Sequence, residues 1–414
     1  MNNRLFTILL FIGSLVGGCT SNPPLVKPEP THAQSTNVAL TPVMTDLPAN
    51  SYTIIPPVQT QAPSQWELSK LCVTSYPSRP DSYQLTGVAA LRSLSSKVLG
   101  LELSLLDLTD GHITKIPASN HPVDVASVSP DGKTLAYLYF NDSHAKWELT
   151  FLDAIGKVQK TRWRPNQDFG FDYWVNNHQI VIEQDSKFIV VDPFQGSQLS
   201  FAPADFPKFN AYSSHNWVDF DPTLTRAIYK DGGIDFLDLH TKAIITQIED
   251  NYDRAPIISW QTSGERVAIV ATLPVLDKMH GSPDEIFIVE NNGQFRQLTH
   301  LYDNFKLFLT IDSLSWSPDG EKIAFWLHDD QGNDTLMIAD VATGEVTNYC
   351  ILNVRQSHFP IYFPAPIWSP DGKYLIVENR YSADANKLLV VDLHNNTAFP
   401  IAENANPVGW MVAP

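Results

Sequence analysis

The chain has 414 residues, 28 basic and 45 acidic side chains, a formal charge of −17, and 43 % hydrophobic residues. That is enough apolar material for a sizeable core. The acidic balance excludes a basic, phosphate-binding footprint, so no nucleic-acid partner is expected.

In chain order, the first element is a leader. Arg4 is followed by an apolar run from Leu5 to Val16 and by Gly17-Gly18. This order is that of a secretory signal, and the run is shorter than the roughly 20 residues of a spanning helix. Val16-Gly17-Gly18-Cys19 resembles a bacterial lipobox, which implies a signal peptide over 1–18 and lipidation of Cys19. Only Arg4 is lost with the leader, so the mature charge is −18. The expected location is extracytoplasmic, lipid-anchored to a bacterial membrane at its periplasmic face or on the cell surface. Acyl chains contribute about 0.8 kcal/mol per buried methylene, so several would hold the protein there.

Residues 19–65 read as a disordered, lipidated tether. Nine of the 30 prolines lie between 20 and 65, interspersed with Ser, Thr, Gln and Asn. Proline-rich linkers extend by about 3.1 Å per residue and could hold a domain on the order of 100 Å from its membrane. A short lead-in, 66–82, follows. With Cys19 assigned to lipid, Cys72 and Cys350 remain, and either a disulfide between them or two buried thiols fits the spacing.

From residue 83 to 414 the sequence repeats. Ser129-Pro130-Asp131-Gly132, Ser317-Pro318-Asp319-Gly320 and Ser369-Pro370-Asp371-Gly372 are turn sequences, each between apolar stretches. Ser259-Trp260-Gln261-Thr262-Ser263-Gly264 is a degenerate copy. Two columns extend the repeat to seven units. One is the residue before the turn: Val128, Trp174, Trp217, Trp260, Trp316, Trp368 and Trp410. The other is an apolar strand ending in a carboxylate at Asp107, Asp153, Asp192, Asp238, Glu290, Asp340 and Asp392, at intervals of 39 to 52 residues. This interval fits one four-stranded blade. The expected fold is an all-β, seven-bladed β-propeller. Val408–Val412 has a first-strand pattern but no later blade to begin, so it is expected to complete blade one beside a strand near Thr86–Leu91.

Apolar strand, Ser-Pro-Asp-Gly-Lys, apolar strand and Asp-terminated strand together resemble the repeat of TolB-type β-propellers. The same repeat occurs in prolyl oligopeptidase-like peptidases. TolB-type proteins carry a separate α/β domain before the propeller, and only the segment around Trp66 to Cys72 stands in that place here. The hydrolase domain of the peptidases is not expected, because the chain ends with a propeller strand.

The recurring carboxylates are expected to hold turns, and the tryptophans to pack between blades. Chemistry is sought instead in the loops. The between-blade loops contain Trp163, Phe169, Phe206, Phe209, Tyr212, Tyr252, Tyr302, Phe305, Phe359, Tyr362 and Phe363 as a candidate binding face. The within-blade loops carry Asp142, Asp284, Asp329, Asp330, Asp334 and Asp384. Aromatics among polar groups suit a protein or glycan of the cell envelope. Nucleophile-elbow, zinc-protease, Cys-x-x-Cys and phosphate-loop motifs are absent. The twelve histidines are scattered singly, and the acidic run 329–334 departs from a calcium loop. No cofactor, metal or catalytic residue is therefore expected, and the reading is a binding platform. The alternative is a propeller enzyme such as a polysaccharide lyase.

Overall fold

The computed structural model describes residues 85–94, 101–116, 123–141, 146–161, 170–185, 187–207, 209, 217–230, 233–248, 256–272, 284–305, 309–328, 333–354, 364–382 and 385–413. The leader, Cys19, the tether and the lead-in lie outside them.

Seven four-stranded antiparallel sheets make up the described chain. Blade two runs Val123–Val128, Leu135–Asn141, Lys146–Leu152, Val158–Thr161, and blade three Gly170–Trp174, Ile180–Gln184, Lys187–Val191, Gln198–Phe201. Blade four is Val218–Phe220, Arg226–Lys230, Ile234–Asp238, Ile244–Ile248, and blade five Ile258–Trp260, Arg266–Thr272, Asp284–Glu290, Phe295–Gln297. Blade six is Thr310–Trp316, Lys322–His328, Asn333–Asp340, Val346–Val354, and blade seven Ile367–Trp368, Tyr374–Ser382, Ala385–Asp392, Thr397–Glu403. Blade one takes Val88–Leu94, Leu101–Asp107 and Ile113–Lys115 from the start of the domain and its first strand, Ala405–Met411, from the end. Trp410 pairs with Ala89 and Met411 with Val88, so the first and last described strands meet in one sheet, as the sequence pattern requires.

Side chains alternate across each strand, and here both faces are buried. In Lys322–His328, Ile323, Phe325 and Leu327 pack toward blade five, while Ala324 and Trp326 pack toward blade seven. Seven apolar clusters arise in this way, one for every pair of neighbouring blades, including blade seven against blade one. The ring is closed by its cores as well as by its strands.

The turn motif works as its composition predicts. Ser129 Oγ donates to Asp131 Oδ1 and accepts from the Thr134 N–H, while Gly132 takes a φ of 71°. The same bonds recur at Ser317 and Ser369. The carboxylate column also holds turns: Asp192 Oδ1 accepts from the Phe194 and Gln195 N–H groups, and Asp340 Oδ1 from those of Ala342 and Thr343. Four of the column's indoles bond the preceding blade. Trp174 donates to Ser127 O, Trp316 to Ser259 O, Trp368 to Ser315 O, and Trp260 to Asp219 Oδ1.

One member of that column is corrected. Trp217 precedes the first strand of blade four, and the residue before the turn is Phe220. Asp221 N–H bonds Arg226 O and Leu224 N–H bonds Asp221 O, the pattern that Ser129 and Gly132 show in blade two. Asp221 stands in for the serine, accepting from the Thr225 and Arg226 N–H groups. The exception at Val128 also has a cause. A Cβ on Gly409 of blade one would lie 2.4 Å from Val128 Cγ2, so the backbone already fills the space an indole would need.

Candidate functional site: the outer rim of blades one to three

The loop residues singled out from the sequence divide into those that serve packing and those that are not described. Phe206 is 2 % exposed, and its ring meets Phe188, Phe201, Phe220 and Tyr229. Phe209 is half-buried against Phe188 and Tyr229. Both pack on the core between blades three and four, which removes the buried Phe206 from the contact face and leaves Phe209 only partly exposed. Tyr302 is half-buried in the short helix Leu301–Phe305, which also contains Phe305. Trp163, Phe169, Tyr212, Tyr252, Phe359, Tyr362 and Phe363 lie outside the described residues, as do Cys19 and Cys72. Cys350 is disulfide-bonded.

The loop acids are corrected similarly. Asp284 and Asp334 begin third strands and are buried to 1 % exposure or less, as is Glu285, an acid that the sequence pattern did not single out. Asp284 accepts from Thr272 Oγ1 and, in the next blade, from the Ile311 N–H. Glu285 accepts from Thr299 Oγ1 and from the Leu301 and Tyr302 N–H groups. Asp334 faces His328 Nδ1 at 3.2 Å. Asp284 and Glu285 fasten one blade to the next blade or to the connection leading to it, whereas the Asp334–His328 contact joins two strands of blade six. Asp142, Asp329, Asp330 and Asp384 are not among the described residues.

Burial pushes the Glu285 carboxyl up to about 7, partly offset by its bond from Thr299. On the first strands of blades three and four, burial likewise pushes Asp219 up to about 7 against the bond from Trp260. Asp172 is pushed up to about 7 by desolvation and by Glu183, although it keeps solvent contact. Tyr173 joins the same two strands, accepting from the Phe220 N–H and donating to Val218 O. Among the described residues no group of three or more His, Cys, Asp or Glu could hold a metal ion.

The feature with chemistry left over is at the perimeter. Ile113, Ile155, Val158, Phe194 and Leu199 are 42 to 64 % exposed, and all lie on the outermost strands or the third-to-fourth-strand turns of blades one, two and three. Blade two's turn abuts blade one, since a Cβ on Gly156 would lie 3.1 Å from Ile116 Cδ1. Blade three's turn abuts blade two: Lys160 Nζ donates to Phe194 O and the Phe194 ring lies 5.4 Å from that of Phe151. The five residues thus belong to one arc running across three contiguous blades. An apolar arc of this kind marks an interaction surface more often than scattered single residues do. The repeat pattern could have exposed it: these are the positions where an outer strand or turn, expected to be polar, carries Ile, Val, Leu or Phe.

A closed ring of seven four-stranded sheets defines the class as a seven-bladed β-propeller. No family model matches the chain. A stretch of 65 residues, 16 % of this chain, is 42 % identical to the Tol-Pal system protein TolB of Alcanivorax borkumensis and covers 13 % of that protein. Among solved structures, TolB from Acinetobacter baumannii is similar at 16 % identity and a TM-score of 0.43, over 78 % of this chain and 65 % of that one. The periplasmic gluconolactonase PpgL of Pseudomonas aeruginosa is similar at 13 % identity and a TM-score of 0.49, over 80 % of this chain and 100 % of that one. The chain spans less than two thirds of either TolB. The sequence likeness to TolB is local.

Proposed function

We propose that the protein is a membrane-anchored, extracytoplasmic β-propeller that serves as a platform for a protein partner, engaged through the apolar rim of blades one to three. The observation that carries the reading is the exposure of Ile113, Ile155, Val158, Phe194 and Leu199 along the outer strands and turns of three adjoining blades. Exposed aliphatic side chains offer contact area to another protein's apolar surface and little to a sugar, which favours a protein over a glycan. The buried acids and the ordered loop aromatics are consumed by the fold, so they supply no competing site among the described residues. The lipobox-like Cys19 supplies the anchor in this reading, and the proline-rich tether the reach.

The test uses the full-length protein in its own envelope. A photo-cross-linker placed at Ile155 or Leu199 should give one discrete protein adduct, and the same probe at the exposed Glu345 of blade six should not. Ile155→Glu with Leu199→Glu should abolish the adduct formed from a probe at Val158. Exposed positions of this kind normally change stability by less than about 0.5 kcal/mol. Equal adducts from rim and control positions, or an adduct that survives both charges, would remove the rim as the contact surface. In parallel, Cys19→Ser should release a folded propeller from the membrane fraction; retention after a salt wash would overturn the anchor.

A further inference from the structure

We propose that Cys350 is bonded to Cys72, forming a covalent clasp that fastens the lead-in segment to the outer strand of blade six; this rests on Cys19 being the lipid-bearing residue. Cys350 is disulfide-bonded, and the chain has three cysteines, so the partner is Cys19 or Cys72. A sulfur committed to a thioether-linked lipid cannot also enter a disulfide. The two assignments therefore use each cysteine once.

The outer strand is shaped around this residue. In Val346–Val354, Leu352 pairs with Thr335 and Asn348 with Met337, so three residues centred on Cys350 stand opposite Leu336 alone. Cys350 takes a φ of 54°, and its N–H is held by Asn348 Oδ1 at 2.7 Å. A bulge breaks the in-out alternation and re-aims the side chain at its centre. A non-glycine residue in the left-handed region is uncommon outside functional or structurally enforced positions.

The location has a mechanical consequence. The ring closes in blade one, where Ala405–Met411 pairs with Val88–Leu94. Cys72 precedes Leu85, the first described residue, by 13 residues. That length reaches about 45 Å when extended, more than the roughly 30 Å diameter of a small domain. A pull on the N-terminal tether is then delivered to blade six and not to Val88, the start of the strand that holds the closing pair together. The bond forms by thiol–disulfide exchange with an oxidising protein disulfide of the exporting compartment. The two thiols lose two protons and two electrons, and the oxidant departs as a dithiol.

Full-length protein purified without reductant should be cleaved under non-reducing conditions and its peptides weighed. The expected result is a Cys72 peptide joined to a Cys350 peptide, separating on reduction, with Cys19 acylated. A free Cys350 beside an acylated Cys19 would overturn the clasp and leave the anchor standing. A Cys19–Cys350 link would overturn both. Cys72→Ser and Cys350→Ser should each lower Tm by about 3–6 °C, because a long loop is no longer closed in the unfolded chain. The double variant should fall no further than either single one. Additive losses, or no loss, would also overturn the pairing.

Discussion

Glu285, beside a loop at the start of a third strand, shows how a buried acid can be architecture. Its carboxylate receives three donors, yet burial still holds it near 7, above the ordinary 4.5. A carboxyl whose value is raised on folding stabilises the fold below its unfolded value and loses that contribution as pH rises through the folded one. Here the window is about 4.5 to 7, and the loss is at most about 3 kcal/mol. Asp219 acts in the same direction. The turn carboxylates oppose this on the acid side. Asp238 is lowered by the Thr241 N–H, and Asp319 and Asp371 are lowered because bonds from Ser317 and Ser369 outweigh partial burial. Their contribution is present above 3.8 and lost as pH falls below it. Thermal stability should therefore peak near pH 4–5 and decline toward pH 8. Glu285→Gln should lower Tm at every pH, since its amide turns a donor toward one of the three N–H or O–H groups, but its decline from pH 5 to pH 8 should be shallower. Parallel Tm profiles for the two proteins would show that Glu285 does not titrate in this range.

Elements reveal where local pattern suffices and where it does not. Ser-Pro-Asp-Gly specifies a turn through contacts within six residues, so three turns and the carboxylate column are legible directly. Blade four is not. Its turn is Asp221-Pro222-Thr223-Leu224, the glycine is replaced by Leu224 at a φ of 56°, and the conspicuous Trp217 draws the eye three residues early. Depth is also invisible to a period of two. Asp284 and Phe206 fall in apparent connections, but the strand of one begins there and the ring of the other turns inward. Links between blades are less legible still, because each joins residues distant in sequence. Asn353, in blade six, accepts from the Arg380 N–H of blade seven and donates to Glu378 O. It is fully buried. Asn386 repeats the device from blade seven, donating to Ala405 O and Asn406 Oδ1 of blade one. Asn353→Ala leaves an N–H and a carbonyl without this partner and should cost about 1–3 kcal/mol. Hydrogen exchange at the Arg380 amide should accelerate well before that of the strand centres. Unchanged exchange there would mean that the apolar cluster alone holds blades six and seven together.

At the scale of the whole molecule, the question is whether the ring is held by its seven cores or by its one seam. Each core joins only neighbours, so a ring missing one closure becomes an open stack with two exposed edge strands. The final strand contributes to closure in four ways. Ala405–Met411 pairs along Val88–Ser93, Trp410 donates to Thr86 O and stacks on Tyr374 of blade seven, Met411 is fully buried against blade two, and the Val412 N–H bonds Gly132 O in blade two's turn. It therefore touches both neighbours of blade one as well as blade one itself. Deleting residues 407–414 removes the last three at once, leaves only Ala405 and Asn406 of the pairing, and should destabilise every blade together, visible as one cooperative transition at a much lower temperature or as loss of soluble protein. Two graded variants keep the test readable if the truncation does not fold. Trp410→Phe keeps a ring and removes the N–H, so it should cost about 1 kcal/mol. Trp410→Ala also opens a cavity and should cost about 3–5 kcal/mol. Denaturant midpoints in that order, with unfolding still single-step, would place the weakest point of the ring at its seam. A truncated protein that unfolds at the same temperature and denaturant midpoint as the full chain would show instead that the seven cores close the ring without it.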